Sequence, residues 1–182
     1  ALAEYQQTTA DWIFGYLSYD LKNDVEELTS ANYDGLDFPA LYFFQPKKLF
    51  LIKGDEVEMR YLRLVDDEME EDIEEILGKT STENSLRSSF NALQLQPRIP
   101  KEAYLVKIQE MLKHIQRGDI YEANFCQEFY AEDAKIDPLQ TYKALNSISN
   151  PPFASYVRLY DHYLLSASPE RYLQKKGSEI IS

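Results

Sequence analysis

The residue best suited to proton transfer is Glu170, within residues 168–171, which read Ser-Pro-Glu-Arg and follow a predicted strand. A carboxylate held at a strand end inside a cleft is partly desolvated, which raises its pKa toward the working range of a general acid or base. Glu170 is therefore a candidate proton-transfer residue. The alternative is a surface pair of Glu170 and Arg171 after a Ser-Pro turn, and residue types alone favour that alternative.

A second segment has the composition of a binding wall. Residues 150–153 read Asn-Pro-Pro-Phe, and prolines lose little conformational entropy when they are ordered. The segment is therefore a candidate for one rigid side of a pocket for an aromatic ligand.

The cysteine, the histidines and the acidic run form no recognisable reactive site. Cys126 is the only cysteine, which rules out an intrachain disulfide and fits a reducing compartment. It lies among the aromatic residues of a predicted strand, so we expect a small core residue rather than a reactive thiol. His114 and His162 have no second ligand at zinc-binding spacing. The acidic residues of 66–77 fan around a predicted helix and are expected to form a solvated face rather than a metal site.

Composition limits the class of protein. The chain has 182 residues, enough for one domain or one large subdomain, and 44% of them are hydrophobic, enough for a packed core. Nineteen basic and 31 acidic residues give a net charge of −12, which argues against a nucleic-acid partner but leaves small anionic ligands open. No apolar run approaches the roughly 18 residues of a membrane span. The chain begins with Ala1 rather than Met, so we expect an excised piece whose start does not reveal targeting.

Hydrophobic periodicity and turn residues predict the elements of the first part. Residues 11–21 are predicted to form a strand in which Gly15 marks a bulge or a close backbone approach. Residues 40–45, 48–53 and 56–65 are predicted to form an antiparallel meander. A short helix is predicted over 66–77, ended by Gly78. A short helical turn is predicted earlier in the chain, at residues 25–29. Residues 79–100 have no period and are predicted to be a connector.

The second part alternates helices and strands. The predicted elements are a helix over 101–117 ended by Gly118, a strand over 120–129, a helix from Asp137 and Pro138 to near Asn146, a hairpin of 153–160 and 163–167, and a further hairpin over 172–181. The strand over 120–129 carries polar groups on one face, which need a neighbouring layer or a ligand as partner. The last hairpin is incomplete, so we expect further sequence to follow.

Several segments together resemble the chorismate-binding enzyme family. They are residues 118–129 (Gly-Asp-Ile-Tyr-Glu-Ala-Asn-Phe-Cys-Gln-Glu-Phe), 150–156 (Asn-Pro-Pro-Phe-Ala-Ser-Tyr) and 166–172 (Ser-Ala-Ser-Pro-Glu-Arg-Tyr). Residues 11–21 also resemble the segment Gly-Tyr-Leu-Ser-Tyr-Asp-Leu of that family. Members include component I of anthranilate synthase and of aminodeoxychorismate synthase, and the isochorismate and salicylate synthases. Residues 152–154 and 168–172 are most similar to aminodeoxychorismate synthase component I, whereas Glu122 departs from the glutamine of many members.

The resemblance implies an α/β fold of the α+β type, a layered β/α/α/β sandwich of the anthranilate synthase component I type, represented here by an incomplete part. Residues 1–78 would belong to the N-terminal, tryptophan-pocket region, with a β-meander and a short helix. Residues 79–100 would be the connector, and residues 101–182 the first part of the chorismate-binding domain.

The resemblance also implies a cytoplasmic enzyme of folate synthesis. Chorismate and ammonia, the latter from a glutamine amidotransferase subunit, would give 4-amino-4-deoxychorismate, the precursor of para-aminobenzoate. Glu170 would be the catalytic general acid/base, and Pro152, Phe153 and Ala154 would form part of a pocket for bound tryptophan.

Other parts of the implied active site would lie beyond Ser182. They are a Pro-Ile-Lys-Gly-Thr motif with a nucleophilic lysine and the ligands of Mg²⁺, so residues 1–182 alone are expected to be inactive. The alternatives are an anthranilate synthase component I, with Ala in place of that lysine, and a non-catalytic amino-acid-binding or subunit-docking module.

Overall fold

The computed structural model describes residues 1–79 and 93–182, and the chain divides into two compact units, Ala1–Asn84 and Ser85–Ser182. The division falls within the predicted connector, residues 79–100, most of which lies outside the described residues. The predicted domain limits therefore stay a prediction, and each unit is described by itself.

The first unit contains three helices, two helical turns of 3-10 type and two antiparallel ribbons among its described residues. Its elements are α1 (Leu2–Thr9), β1 (Phe14–Leu17), a turn at Tyr19–Leu21, α2 (Lys22–Val25), β2 (Leu41–Phe44), β3 (Lys48–Lys53), β4 (Glu56–Tyr61), a turn at Asp66–Glu68 and α3 (Met69–Gly78).

Strand pairing in this unit differs from the predicted meander. β3 and β4 form the expected hairpin, but β2 pairs with β1 and not with β3. Pro46 and Lys47 separate β2 from β3, and proline lacks the N–H that a continued ladder would need. The predicted helical turn at residues 25–29 is also misplaced, because the helix lies at Lys22–Val25.

The prediction for Gly15 is confirmed. A Cβ atom added at Gly15 would lie 2.0 Å from the main-chain oxygen of Tyr42 and 2.7 Å from the ring of Phe43. Glycine is required here because the backbones of β1 and β2 approach too closely for any side chain.

An ion-pair cluster joins the β3–β4 hairpin to α3. Lys48 Nζ lies 2.6 Å from both Asp72 Oδ2 and Glu68 Oε2, and the Tyr61 hydroxyl donates to Asp72 Oδ2 at 2.7 Å. The hydrogen bonds from Lys48 and from Tyr61 lower the pKa of Asp72. Part of the acidic run is therefore structural, which sequence periodicity did not reveal.

We expect Asp72→Asn to lower the melting temperature at neutral pH more than the matched change Glu71→Gln, which alters an exposed carboxylate of the same helix. The folded-state pKa of Asp72 lies below its usual 3.8. The stabilisation that the Asp72 carboxylate provides is therefore fully present above pH 3.8. It is lost as the pH falls through the lowered pKa of the folded state. Melting curves from pH 7 to pH 2 should show the gap between Asp72→Asn and wild type closing below pH 3.8. A gap that is constant with pH would contradict this account.

The second unit contains two helices and three antiparallel ribbons among its described residues. Its elements are β5 (Gln96–Pro97), α4 (Lys101–Arg117), β6 (Phe129–Tyr130), α5 (Pro138–Ser149), β7 (Phe153–Leu159), β8 (His162–Ser168), β9 (Gln174–Lys176) and β10 (Glu179–Ile181). β5 pairs with β6, β7 with β8, and β9 with β10.

Helix α4 has the predicted bounds and the predicted end. Gly118 adopts the left-handed conformation with φ of 84°, which glycine reaches without steric cost. The amide of Asp119 then donates to the carbonyl of His114 at 3.0 Å. The Asp119 carboxylate accepts from Arg117 and contacts His114 Nδ1 at 2.7 Å, so both histidine and arginine are used to close the helix.

The predicted strand over residues 120–129 is wrong for most of its length. Only Phe129 and Tyr130 are in a strand, paired with Pro97 and Gln96. A strand exists only where a neighbouring backbone completes its ladder, and the described residues supply such a neighbour to this end of the segment alone. Cys126, predicted to be a core residue, is consequently exposed.

Few side chains of the described residues are buried. Among the described residues, only Val65 and Leu159 are buried, at 6% and 9% exposure. Apolar faces of the helices and ribbons therefore remain largely open among residues 1–79 and 93–182.

Candidate functional site

Helix α5 and its two ends position residues 150–156, the segment Asn-Pro-Pro-Phe-Ala-Ser-Tyr. Asp137 caps the helix, because its Oδ1 accepts from the amide of Gln140 at 3.0 Å. The helix runs to Ser149, beyond the predicted end near Asn146, and stops where Asn150 turns left-handed with φ of 41°. Two prolines follow and cannot continue a helix, so β7 starts at Phe153.

The β7–β8 register brings residues 150–156 and residues 166–172 together. Phe153 is paired with Ser168 and Ala154 with Ala167. The start of β7 and the end of β8 therefore lie side by side at the open end of this hairpin. The guanidinium carbon of Arg171 lies 5.2 Å from the centre of the Phe153 ring, within the range of a cation–π contact.

One face of the hairpin is backed by α5. The rings of Tyr142 in α5 and Tyr156 in β7 are 5.4 Å apart, and Tyr156 also lies 6.3 Å from Tyr163 in β8. Side chains alternate along a strand, so Tyr156 and Phe153 face opposite sides. α5 therefore packs against one face of the hairpin, and the ring of Phe153 lies on the opposite face.

The backbone of Glu170 is fixed by its own turn. Ser168 Oγ accepts from the Glu170 amide at 3.3 Å and donates to the Glu170 carbonyl at 3.0 Å. Beyond the turn, Arg171 donates to the side chain of Gln174. These contacts hold residues 168–171 at the strand end, as predicted.

Glu170 itself is an exposed residue. No residue of the described ranges encloses it, so the expected desolvation is not present within residues 1–79 and 93–182. The physical reason is its position at the open end of a two-stranded ribbon, where only another segment could cover it. Its role as catalytic acid/base stays a prediction.

The three residues of the predicted tryptophan pocket differ in exposure. Phe153 and Ala154 are half-buried at the start of β7, and Pro152 is exposed just before it. The structure brings them beside residues 168–171, but bound tryptophan stays a prediction.

The resemblance implies that the ligands of Mg²⁺ lie beyond Ser182. Residues 1–79 and 93–182 contain no group of three or more His, Cys, Asp or Glu side chains that could hold a metal ion. Magnesium therefore remains an expectation from the resemblance, and no step is derived through it.

An ion pair near the end of residues 118–129 could not be predicted from the sequence. Arg98 donates through Nε and Nη2 to the two carboxylate oxygens of Glu128, at 3.0 and 2.9 Å, and its guanidinium lies 3.7 Å from the ring centre of Tyr130. Such a bidentate pair fixes geometry as well as adding energy. Its partners are far apart in sequence, so no periodicity or spacing could have predicted it.

Comparison with known proteins identifies the family. The chorismate binding enzyme family matches residues 1–182. This chain belongs to that family. The family match agrees with the segments that carried the resemblance, two of which meet at the end of the β7–β8 hairpin.

Relatives of two activities match at similar identity. The chain is 30% identical over 169 residues to an anthranilate synthase component I-like protein of Synechocystis sp., covering 92% of this chain and 34% of that protein. It is 25% identical over 179 residues to aminodeoxychorismate synthase component 1 of Bacillus subtilis, covering 90% and 36%. The chain thus spans about a third of the length of these curated relatives.

The fold is that of anthranilate synthase component I. The crystal structure of that protein from Streptococcus pneumoniae superposes with a TM-score of 0.77 at 17% identity, covering 92% of this chain and 40% of that one. The predicted fold class is confirmed. No helix among the described residues is long and apolar enough to span a membrane.

Proposed function

We propose that this chain is part of component I of a cytoplasmic aminodeoxychorismate synthase. The reaction is the conversion of chorismate and ammonia to 4-amino-4-deoxychorismate, with ammonia supplied by a glutamine amidotransferase subunit. Family membership supports chorismate as substrate. The sequences at residues 152–154 and 168–172 favour this activity over that of anthranilate synthase.

The observation that carries the proposal is the pairing of Phe153 with Ser168. This register sets the Pro-Pro-Phe-Ala segment beside the turn that bears Glu170. A rigid apolar wall and a carboxylate at one strand end are what an acid/base site for a ring-shaped substrate requires. Glu170 would exchange a proton with the chorismate ring once the remainder of the fold encloses it.

Anthranilate synthase component I is the second candidate. The relative from Synechocystis with 30% identity, an anthranilate synthase component I-like protein, supports it. The two candidates differ in chemistry: the aminodeoxychorismate enzyme uses a lysine nucleophile, and the anthranilate enzyme has alanine in its place.

The experiment that separates the candidates is to sequence the reading frame beyond Ser182. Pro-Ile-Lys-Gly-Thr directly after residue 182 is the expected result. Alanine at the lysine position would replace the proposal with anthranilate synthase, and a stop codon would favour a non-catalytic module.

A further inference from the structure

One serine hydroxyl binds both main-chain groups of Glu170. Ser168 Oγ donates to the carbonyl oxygen of Glu170 at 3.0 Å and accepts from the amide of the same residue at 3.3 Å. Serine hydroxyls commonly bond main-chain groups nearby and so shape turns. Here both bonds reach a single residue. The N–H and the C=O of Glu170 lie on the two sides of its Cα atom, so holding both of them fixes the direction in which the side chain leaves the backbone.

The hydroxyl itself starts from a fixed point. Ser168 is the last residue of β8, is half-buried, and is paired with Phe153 across the hairpin. Pro169 is the one residue between Ser168 and Glu170, and its ring fixes φ near −65°. Little freedom is therefore left between the strand and Glu170. The hydroxyl joins Glu170 to the same backbone ladder that holds Phe153.

The turn is also held after Glu170. The guanidinium carbon of Arg171 lies 5.2 Å from the centre of the Phe153 ring, and Arg171 donates to the side chain of Gln174 in β9. A cation–π contact at an exposed position is weak. These contacts hold the residue that follows Glu170, whereas the Ser168 hydroxyl holds Glu170 itself.

Orientation matters for a residue in this place. Glu170 is exposed at the open end of a two-stranded ribbon, so packing among the described residues does not direct its side chain. A general acid or base must lie within hydrogen-bond reach of the proton that it transfers, and a displacement of about 1 Å can cost about 10²-fold in rate. The main chain of Glu170 is therefore the part of the residue through which its direction can be set.

We propose that Ser168 is a positioning residue of the proposed reaction. Its hydroxyl holds the main chain of Glu170 so that the carboxylate is presented to the chorismate ring from one direction. Ser168 contacts neither the substrate nor the transferred proton, and it acts through Glu170. This inference rests on the proposed function, in which Glu170 is the acid/base.

The test is steady-state kinetics of three serine variants of the complete protein with chorismate and ammonia. We expect Ser168→Ala to lower kcat by about 10–100-fold, with KM for chorismate within about twofold of wild type, because the loss concerns orientation and not binding. Ser168→Thr keeps the hydroxyl on a residue that suits a strand, and kcat should stay within about threefold of wild type. Ser178→Ala changes an exposed serine in the turn between β9 and β10 and should behave as wild type. Equal losses in Ser168→Ala and Ser168→Thr would overturn the proposal.

A double variant separates positioning from a general structural effect. If Ser168 acts through Glu170, adding Ser168→Ala to Glu170→Gln should leave the residual kcat within about twofold, because the two losses are not independent. A further loss of about tenfold or more would overturn the proposal. Wild-type kcat in Ser168→Ala beside a slow Glu170→Gln would overturn this inference alone, whereas wild-type kcat in Glu170→Gln would overturn the acid/base role and this inference with it.

A second substitution covers the case in which Ser168→Ala does not fold. Ser168→Cys keeps the size of the side chain and replaces the hydroxyl with a weaker donor and acceptor. We expect kcat to fall severalfold at an unchanged KM for chorismate. Wild-type kcat in Ser168→Cys would then contradict the proposal.

Discussion

Glu170→Gln in the complete protein is expected to lower kcat for chorismate by about 10²–10⁴-fold, the usual contribution of general acid–base catalysis. Glutamine keeps the size and hydrogen-bonding capacity of the side chain but cannot exchange the proton. Chorismate binding should therefore persist while turnover is lost. Steady-state kinetics together with equilibrium binding of chorismate separates the two effects.

Glu179→Gln is the matched control for that variant. Glu179 is an exposed glutamate of the same unit, in β10, and has no assigned role in the reaction. Turnover near the wild-type value is expected. If Glu170→Gln also retained wild-type turnover, the assignment of Glu170 as the catalytic acid/base would be wrong.

Gly15→Ala is expected to destabilise the protein by about 1–3 kcal/mol, the usual cost of forcing atoms into a packed site. The added Cβ would lie 2.0 Å from the Tyr42 oxygen, so β1 and β2 would have to move apart. Urea unfolding of the complete protein, followed by circular dichroism, measures the loss.

Gly78→Ala provides the comparison for this substitution. No atom of residues 1–79 and 93–182 lies within 4 Å of a Cβ added at Gly78, and alanine is favoured over glycine in a helix by roughly 0.5–1 kcal/mol. This variant should be as stable as wild type or slightly more stable. Equal losses in Gly15→Ala and Gly78→Ala would show that the close approach of β1 and β2 is not limiting.

Elements with local signals could be predicted from the sequence. The hydrophobic periodicity of residues 101–117, followed by Gly118, predicted the bounds of α4, and Asp137 followed by Pro138 predicted the start of α5. Each of these signals acts through residues within a turn or two of one another. The β7–β8 hairpin was predicted for the same reason, because its strands are adjacent in sequence.

Features that depend on distant partners were missed. Residues 120–128 alternate like a strand, but an alternating pattern cannot supply the neighbouring backbone that a ladder needs. Lys48 in β3 pairs with Asp72 in α3, and Arg98, just after β5, pairs with Glu128, just before β6, so both pairs join residues far apart in sequence. The candidate site was predicted in part. Its segments could be recognised in the sequence, but that two of them lie side by side follows only from the pairing of Phe153 with Ser168.

The most direct test of the proposed function is product analysis with the complete protein. Chorismate, ammonia and magnesium are incubated with it, the products are separated by chromatography, and residues 1–182 alone serve as a control expected to give no product above background. The account predicts 4-amino-4-deoxychorismate, which retains the enolpyruvyl group. Anthranilate with pyruvate would contradict the proposed activity, and unchanged chorismate from an intact, folded protein would contradict the enzymatic assignment altogether.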